Sequence, residues 1–471
     1  MKKLLTILAV LLACSSLMAA DIYVSLSTGK NSKEGTKEEP LKSLWKALEK
    51  AQDGDTIHLA EGIYPGNLKC NWFLIDKPVS IIGGYKADFS ERDPLKYKTM
   101  FQPLNENNDK KGTGLGIFTI EFDKTKPAPK GVNMVFDGLI FDDGMAQSYH
   151  ATKGKPEGVD TGMWLEPPAK GDTPFASSKR YLVYAATANR AEGDITFKNC
   201  AFVNAGNIAV NLNWYKGKVI MENNVFCNNL MIGANVISSN PEKGAVEWIF
   251  KNNTVLFTWS RTSELSDMGF GVRVNANMNS EIKDNVIGLS VLSGFDNTKG
   301  LDKTKKTKLD GNVFFLNRQS DAQVTKSPSI IKVKVEDFED DMEGNFGIES
   351  AQENTTLEDP NVFKGRLNAP YLNAFLSMKY SETATLDTDK LNALRSVLGL
   401  PQQGTIVSKV DMFGNRYPLD DALKLFGAIP GKGAQNIKYK LNPKRRTKKG
   451  PHPRAFFCCI YKTLGFFDSI V

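Results

Sequence analysis

Cysteine and histidine are scarce in this sequence, and their scarcity excludes several kinds of site. The chain has six cysteines and three histidines among 471 residues. Cysteines this sparse do not form a disulfide scaffold, and no Cys-x-x-Cys pair or histidine cluster offers the usual ligands of zinc. A catalytic triad built on histidine has almost no material, since only His58, His150 and His452 are available.

Long apolar runs are also lacking beyond the first twenty residues. The pair Lys2-Lys3 precedes an apolar segment from Leu4 to Leu12, and small residues follow at Ala19-Ala20. This order predicts an export signal, residues 1–20, that is cleaved after its last alanine. A lipobox-like stretch, Leu11-Leu12-Ala13-Cys14, leaves open a lipoprotein anchored through its cysteine. We expect a secreted, periplasmic or outer-surface protein without a transmembrane segment.

An excess of positive charge is absent from the body of the protein. The formal charge of the chain is +7, but residues 436–471 hold nine lysines and arginines against one aspartate. Without this tail and without the lysines of the export signal, residues 21–435 carry a net charge of −3. We therefore expect no nucleic-acid partner. The abrupt change of composition predicts that residues 436–471 form a basic, disordered tail.

Helical periodicity is missing from the middle of the chain, where a short motif recurs instead. Each copy reads apolar, charged, small and mostly polar, then Asn, with Cys once in the last place. The last residues of the copies are 24, 29, 32 and 27 positions apart. Such a drifting period, with strand-forming residues, predicts a solenoid of stacked β-coils. The copies are Phe197-Lys198-Asn199-Cys200, Met221-Glu222-Asn223-Asn224, Phe250-Lys251-Asn252-Asn253, Ile282-Lys283-Asp284-Asn285 and Leu309-Asp310-Gly311-Asn312, with a fainter one at Phe136-Asp137-Gly138-Leu139.

The asparagine in the last motif position predicts a ladder of side chains. Amides that are stacked at the spacing between strands can hydrogen-bond along the column, which satisfies polar groups that the turn would otherwise bury unpaired. We expect the last motif residues to lie directly above one another, with the cysteine ending the column. The expected column consists of Cys200, Asn224, Asn253, Asn285 and Asn312.

Segments on both sides of the repeats predict caps. Residues Pro40 to Gln52 show a helical pattern with one apolar face, and the open end of a solenoid needs a cover. We expect this helix to be the N-terminal cap of a β-helix that spans residues 21–320. Residues 321–435 lack the motif and contain a second helical pattern at Asp387–Leu398. This extension is expected to pack on the solenoid or to cap its C-terminal end.

The opening of the chain resembles a known family. Tyr23-Val24, Gly35-Thr36, Gly54-Asp55-Thr56-Ile57 and Gly83-Gly84-Tyr85 look like the domain of unknown function that opens many secreted bacterial β-helix proteins. The chain thus resembles the pectate-lyase-like superfamily. This resemblance implies an all-β fold, a right-handed parallel β-helix. It implies no particular reaction, because many proteins with this opening have no assigned activity.

Three strand-like segments place polar residues on one outer face. Residues 208–213, 232–236 and 270–275 alternate apolar and polar side chains, and stacking would align their outward positions. Amides and a guanidinium about 5 Å apart suit the hydroxyls and carboxylates of a saccharide chain, while a merely solvated face is the alternative. The predicted substrate-binding residues are Asn211, Asn213, Asn235 and Asn275 on these segments, with Trp259 and Trp164 as stacking platforms from loops.

Cleavage of a uronate polymer by β-elimination is one reaction that such a face would suit. In β-helix lyases an Arg or Lys base commonly acts together with Ca²⁺ that is held by acidic residues. Arg273 is the first candidate for the base and Arg261 is the second. The candidate Ca²⁺ ligands are Glu264, Asp267 and Asp296.

The resemblance to these enzymes fails in detail. The sequence has no Arg-x-Pro-x-x-Arg element like that of pectate lyases, and its central coils lack the paired-aspartate signature of polygalacturonases. We therefore expect an exported, monomeric β-helix protein whose partner is a polysaccharide, with lyase-type cleavage of an acidic polymer left open. A non-catalytic structural or adhesive protein of the cell surface is the alternative.

Overall fold

The computed structural model of the chain describes residues 19–66, 72–103, 116–143, 181–186, 190–259, 268–298, 306–326, 329–376, 388–402 and 416–438. Strands dominate these residues and form three sheets whose order follows the chain coil by coil. The fold is a right-handed parallel β-helix, as predicted. Most of the predicted export signal and of the predicted tail lies outside the described residues. None of the helices in the described part of the chain has the length and apolarity that a bilayer crossing requires.

Sheet A contains the strands that end in the repeated motif, and all its neighbouring strands are parallel. The fainter motif copy is confirmed, since Phe136 aligns with Phe197 and Asp137 with Lys198. The strands of sheet A are β1 (Asp21–Val24), β2 (Thr56–Ala60), β5 (Ser80–Tyr85), β8 (Lys130–Asp137), β11 (Glu192–Lys198), β14 (Gly217–Glu222), β17 (Val246–Lys251), β20 (Met278–Lys283), β23 (Lys306–Asp310) and β27 (Ile348–Ser350).

Sheet B follows sheet A across the motif corner. Its phenylalanines stack inside the coils, as in the ring pairs Phe141–Phe202 at 5.3 Å and Phe202–Phe226 at 4.8 Å between centroids. The strands of sheet B are β3 (Gly62–Tyr64), β6 (Thr99–Phe101), β9 (Ile140–Asp142), β12 (Ala201–Val203), β15 (Val225–Leu230), β18 (Thr254–Trp259), β21 (Val286–Gly288), β24 (Val313–Phe315) and β28 (Thr355–Thr356).

Sheet C completes each coil and carries the polar outer positions that the sequence singled out. It is parallel except for its last pair, an antiparallel hairpin. The strands of sheet C are β4 (Phe73–Ile75), β7 (Gly116–Ile120), β10 (Tyr181–Ala185), β13 (Val210–Trp214), β16 (Ile232–Ser238), β19 (Phe270–Val274), β22 (Ser293–Asn297), β25 (Ser320–Lys326) and β26 (Ser329–Val333).

The small third residue of the motif is explained by the turn between sheets A and B. Its φ angle is positive in all five full copies: Asn199 55°, Asn223 58°, Asn252 51°, Asp284 54° and Gly311 67°. Glycine, asparagine and aspartate adopt this left-handed conformation at the lowest cost. The motif therefore encodes the corner of the coil as well as its ladder.

The asparagine ladder is confirmed. The Nδ2 atom of Asn224 donates to Oδ1 of Asn253 at 2.9 Å, and the step from Asn253 to Asn285 is 3.2 Å. The step from Asn285 to Asn312 is 2.9 Å. Cys200 ends the column, since only its backbone N–H reaches the next amide. One further rung, which the sequence analysis missed, is Asn354, whose Oδ1 accepts from Nδ2 of the preceding asparagine at 3.0 Å.

The N-terminal cap is present but its helix is shorter than predicted. Helix α1 (Leu44–Lys50) buries Leu44, Ala47 and Leu48 in the main core. The open edge of β1 is covered by the segment before this helix, where the N–H of Leu41 donates to the carbonyl of Tyr23 at 2.8 Å. This pairing removes the exposed strand edge that a solenoid end would otherwise present.

The coils continue beyond the predicted boundary at residue 320. Strands β25, β27 and β28 extend sheets C, A and B, so that the last coil ends near Thr356. The sequence does not show this coil, because an insertion interrupts it. The insertion contains the hairpin strand β26, a 3₁₀ turn (Val335–Asp337) and helix α2 (Phe338–Asp341). The last rung of the ladder follows Ala351-Gln352-Glu353, which departs from the motif.

The rest of the C-terminal extension packs on the outer face of sheet B. It consists of a 3₁₀ helix (Pro360–Phe363) and helices α3 (Ala369–Leu376), α4 (Thr388–Val397) and α5 (Leu419–Leu423). Helix α4 matches the predicted helix. Apolar residues of sheet B and of this extension form a second hydrophobic core outside the coils, which includes Val203, Cys227, Leu256, Phe363, Tyr371, Phe375, Leu394 and Phe426.

The segment 416–438 lies against the coils and is held by hydrogen bonds to several of them. The N–H of Tyr417 donates to Oδ1 of Asn204 at 2.8 Å. Further along, the N–H of Ala434 donates to Oγ1 of Thr254 at 2.9 Å, and Nζ of Lys432 lies 2.8 Å from Oδ1 of Asp284. The extension therefore wraps the solenoid, which is one of the two arrangements that the sequence predicted.

Candidate functional site

A column of mostly polar side chains runs along the outer face of sheet C. The register of the strands aligns one residue from each of seven successive coils, from β7 to β25, and the alignment of the central residues agrees with the prediction. Neighbouring members are separated by the strand spacing of about 4.8 Å. The members are Thr119, Tyr184, Asn211, Asn235, Arg273, Asp296 and Gln323. We call this set the sheet C column.

The two asparagines of the column bond to each other, and Asn275, which lies two residues after Arg273 and outside the column, joins them. The Nδ2 atom of Asn235 donates to Oδ1 of Asn211 at 2.7 Å, and Nδ2 of Asn275 donates to Oδ1 of Asn235 at 2.7 Å. Asn235 is only 5% exposed, so its amide links its neighbours and offers little surface to a ligand. Asn211 and Asn275 are half-buried, and they are the amides of this network that a ligand can reach.

Asn213 lies two residues beyond Asn211 on β13, outside the column. It aligns with Ile237 and is 8% exposed. Its Oδ1 accepts no hydrogen bond from the described residues. A buried acceptor without a partner is costly, so this oxygen is suited to a donor from outside the protein.

Arg273 and Asp296 form an ion pair in the middle of the column. The Nε atom of Arg273 lies 2.5 Å from Oδ2 of Asp296, and the guanidinium lies 4.7 Å over the ring of Phe270. The arginine side chain is 18% exposed and the aspartate side chain 1%. A guanidinium that is held at Nε by a carboxylate keeps its terminal N–H donors for an anion. The ion pair therefore suits Arg273 to binding an anion, while its role as a base stays a prediction.

Of the three candidate calcium ligands, only Asp296 belongs to the described residues. The buried carboxylate of Asp296 is engaged by Arg273, and Ca²⁺ needs six or more oxygen ligands. The described residues contain no cluster of three or more His, Cys, Asp or Glu side chains that would hold a metal. The other candidates, Glu264 and Asp267, lie outside the described residues, as does the second candidate base, Arg261.

Two tyrosines provide an aromatic surface near the N-terminal end of the sheet C column. The rings of Tyr181 and Tyr184 stack with centroids 5.1 Å apart, and Tyr184 aligns with Asn211 of the next coil. Burial raises the pKa of Tyr181, and the nearby Tyr184 adds to this effect. Both rings are half-buried, so each presents a face or an edge to solvent. The pair lies on β10, which carries no copy of the repeated motif, so the motif does not point to it.

Trp259 corrects the sequence prediction. Its indole is 2% exposed and lies in the second hydrophobic core, where Nε1 donates to Oδ1 of Asn228 at 2.6 Å. Nε1 also lies 3.0 Å from the hydroxyl of Tyr371, and the ring makes an edge contact with Phe375 at 5.0 Å. The side chain is therefore part of the packing between sheet B and the extension and offers no face to a sugar. The other predicted platform, Trp164, lies outside the described residues.

A polar and aromatic cluster around a single histidine, His58, lies on the outer face of sheet A. The sequence analysis did not predict it. The ring of His58 lies between Asp21 and Tyr85. Its Nε2 atom is 2.8 Å from Oδ1 of Asp21, and its Nδ1 atom is 3.0 Å from the hydroxyl of Tyr85. Tyr23 stacks on the imidazole at 4.7 Å. Burial lowers the pKa of His58 and raises that of Tyr85 to about 12. The tyrosine therefore stays protonated near neutral pH, and the cluster serves to join the first three strands of sheet A.

The comparison with protein families matches the opening of the chain. Residues 27–87 match the family described as "Protein of unknown function (DUF1565)". The segment is the one whose glycines and tyrosines predicted the resemblance, and that resemblance is confirmed. The description of the family assigns no activity. A search of curated proteins gave no match.

Solved structures with distant similarity are carbohydrate-active proteins by their titles. One is the pectate lyase Pel9A, with 14% identity, a TM-score of 0.37, and coverage of 66% of this chain and 79% of that chain. A rhamnogalacturonan lyase has 11% identity, a TM-score of 0.31, and coverage of 67% and 86%. A glycoside hydrolase has 9% identity, a TM-score of 0.30, and coverage of 72% and 97%. Similarities this distant carry no argument about the activity of this chain.

Proposed function

We propose that this protein is exported and binds polysaccharide along the outer face of sheet C. The observation that carries the proposal is the in-register column, which sets a half-buried aromatic ring, amides and a guanidinium on consecutive coils. A coil spacing of about 4.8 Å is close to the length of one sugar residue, so each coil can contact one unit of an extended chain. The proposal of export rests on the leader-like residues 1–20.

Arg273 favours an acidic polymer as the ligand. The Nε atom of Arg273 donates to Asp296, while the two terminal nitrogens of the guanidinium have no hydrogen-bond partner among the described residues. A planar guanidinium edge binds a carboxylate through two parallel hydrogen bonds. Asn211 lies two coils before Arg273 in the column, and Asn275 lies two residues after it in the chain. Both amides suit the hydroxyls of neighbouring sugar units. Uronate polymers combine these two chemical groups in every unit.

Binding without cleavage is the function that the described geometry supports best. Elimination requires a group that removes the proton at C5, and the Nε atom of Arg273 is already engaged by Asp296. A structural or adhesive protein of the cell surface would use the same face in the same way. The two readings of the column, binding protein and lyase, differ in whether the polymer is cut.

Replacing Tyr184 by alanine is expected to weaken polysaccharide binding about tenfold, which corresponds to the loss of one stacked ring. The measurement is affinity electrophoresis in gels that contain pectate, alginate or a glycosaminoglycan, followed by calorimetry on the best ligand. The matched control is Lys251→Ala, a half-buried residue on the outer face of sheet A. Retardation that is equal in wild type, Tyr184→Ala and Lys251→Ala would place the ligand elsewhere.

No cleavage of uronate polymers is expected from the mature protein, even with added Ca²⁺. The assay follows the ultraviolet absorbance of the unsaturated uronate that β-elimination creates. Arg273→Lys is the informative variant, since it keeps a positive charge beside Asp296 while it loses the planar edge. A steady rise of absorbance in wild type that disappears in Arg273→Lys, with binding retained, would make the protein a lyase and refute binding without cleavage.

A further inference from the structure

Ala20 is built into the fold at the start of the first coil. Its N–H donates to Oδ1 of Asp55 at 2.7 Å, and its carbonyl accepts the N–H of Thr56 at 2.9 Å. The second oxygen of Asp55 accepts the N–H of Gln52 at 2.8 Å. Asp55 is 5% exposed. The fold thus uses a residue that the sequence pattern alone assigns to the removed leader.

We infer that the export leader is cut between Ala19 and Ala20, and that the new α-ammonium group of Ala20 pairs with the carboxylate of Asp55. The inference rests on the proposed export of the chain. Either of the two alanines satisfies the requirement for a small residue before the cut, so the sequence does not choose between them. The contacts of Ala20 make that choice.

The cut is a hydrolysis that a signal peptidase of the exporting cell catalyses. Water adds across the amide between Ala19 and Ala20, which leaves a carboxylate on the leader and an amine on the mature chain. The amine takes up a proton near neutral pH. The hydrogen bond from Ala20 to Asp55 then changes from a neutral donor to a cationic one, and such charge-assisted bonds are roughly twice as strong.

Asp55 needs such a partner. Within the described residues its carboxylate accepts from two backbone N–H groups, and no lysine, arginine or histidine there forms an ion pair with it. A carboxylate that is buried without a counter-charge is costly. A cut one residue later would remove both the N–H that this carboxylate accepts and the carbonyl that the N–H of Thr56 needs.

The first test is the N-terminus of the exported protein, which intact mass and N-terminal sequencing define. The expected chain begins at Ala20. A chain that begins at Asp21, a chain that begins at a lipid-modified Cys14, and a chain that retains its leader would each overturn the inference. No polysaccharide is present, so the result is independent of the proposed binding function.

The second test compares two purified forms of the protein that begin at Ala20 and at Asp21. The longer form is expected to unfold at a midpoint temperature higher by about 2 °C or more. Asp55→Asn should reduce this difference, since it removes the negative charge, keeps the side-chain shape and leaves the bond between the Ala20 carbonyl and Thr56 intact. Asp53→Asn, an exposed neighbour, should leave the difference unchanged. Equal midpoints of the two forms, or a difference that Asp55→Asn leaves undiminished, would refute the pairing.

Discussion

Asn285→Ala is expected to lower the stability of the β-helix by about 3–5 kcal/mol, because it breaks the ladder in its middle. The Oδ1 atom of Asn285 accepts from the N–H and from Nδ2 of Asn253, at 2.8 and 3.2 Å. Its Nδ2 donates to the carbonyl of Phe250 and to Oδ1 of Asn312, both at 2.9 Å. Alanine would strand the buried N–H of Asn253 and the buried carbonyl of Phe250, and each stranded group costs about 1–3 kcal/mol.

The effect should be local as well as large, because each coil of a solenoid contacts only its neighbours. Hydrogen exchange followed by mass spectrometry should show lost protection in β17, β18, β20 and β21, together with a lower midpoint of urea unfolding. The matched control is Asn279→Ala on β20, where the amide is half-buried and makes no side-chain hydrogen bond to described residues. It should change stability by less than about 0.5 kcal/mol. Similar losses in the two variants would argue against the ladder as the source of stability.

Trp259→Ala should cost about 3–5 kcal/mol, as large-to-small changes of buried aromatic residues do. The variant would leave a cavity between sheet B and helix α3, next to Phe375, and it would remove the hydrogen bonds of Nε1 to Asn228 and Tyr371. Trp259→Phe fills much of the cavity and loses only the donor, so its cost should be near 1 kcal/mol. Urea unfolding of the two variants measures both values.

The same tryptophan variant separates a packing role from a binding role. Folded Trp259→Phe protein should keep the polysaccharide affinity of wild type, whereas Tyr184→Ala should bind about tenfold more weakly while remaining folded. Trp45→Ala in α1, a half-buried residue, serves as the stability control. If Trp259→Phe weakened binding without a change in unfolding, the indole would have to reach the ligand, against its position in the second core.

The repeated motif was sufficient to predict the coils, their corner and the ladder. Parallel strands in register keep every inward and outward position constant from coil to coil, so a one-dimensional alignment of strands predicts neighbours in space. Asn211, Asn235 and Arg273 were placed in one column on this basis, and the strand pairs place them there. The left-handed corner adds a local constraint that only a few residue types meet, which is why the motif is visible at all.

Contacts between segments far apart in the chain could not be predicted from the sequence and were seen only in the tertiary structure. The burial of Trp259 depends on Tyr371 and Phe375, which belong to an extension without any repeat. The last coil was missed because an insertion separates Asn312 from Asn354. The hydrogen bond from the N–H of Ala20 to Asp55 forms only when β1 lies beside β2. Periodic local rules fix the neighbours within a solenoid, whereas the side chains that cover its outside meet only through folding of the whole chain, and no local pattern encodes them.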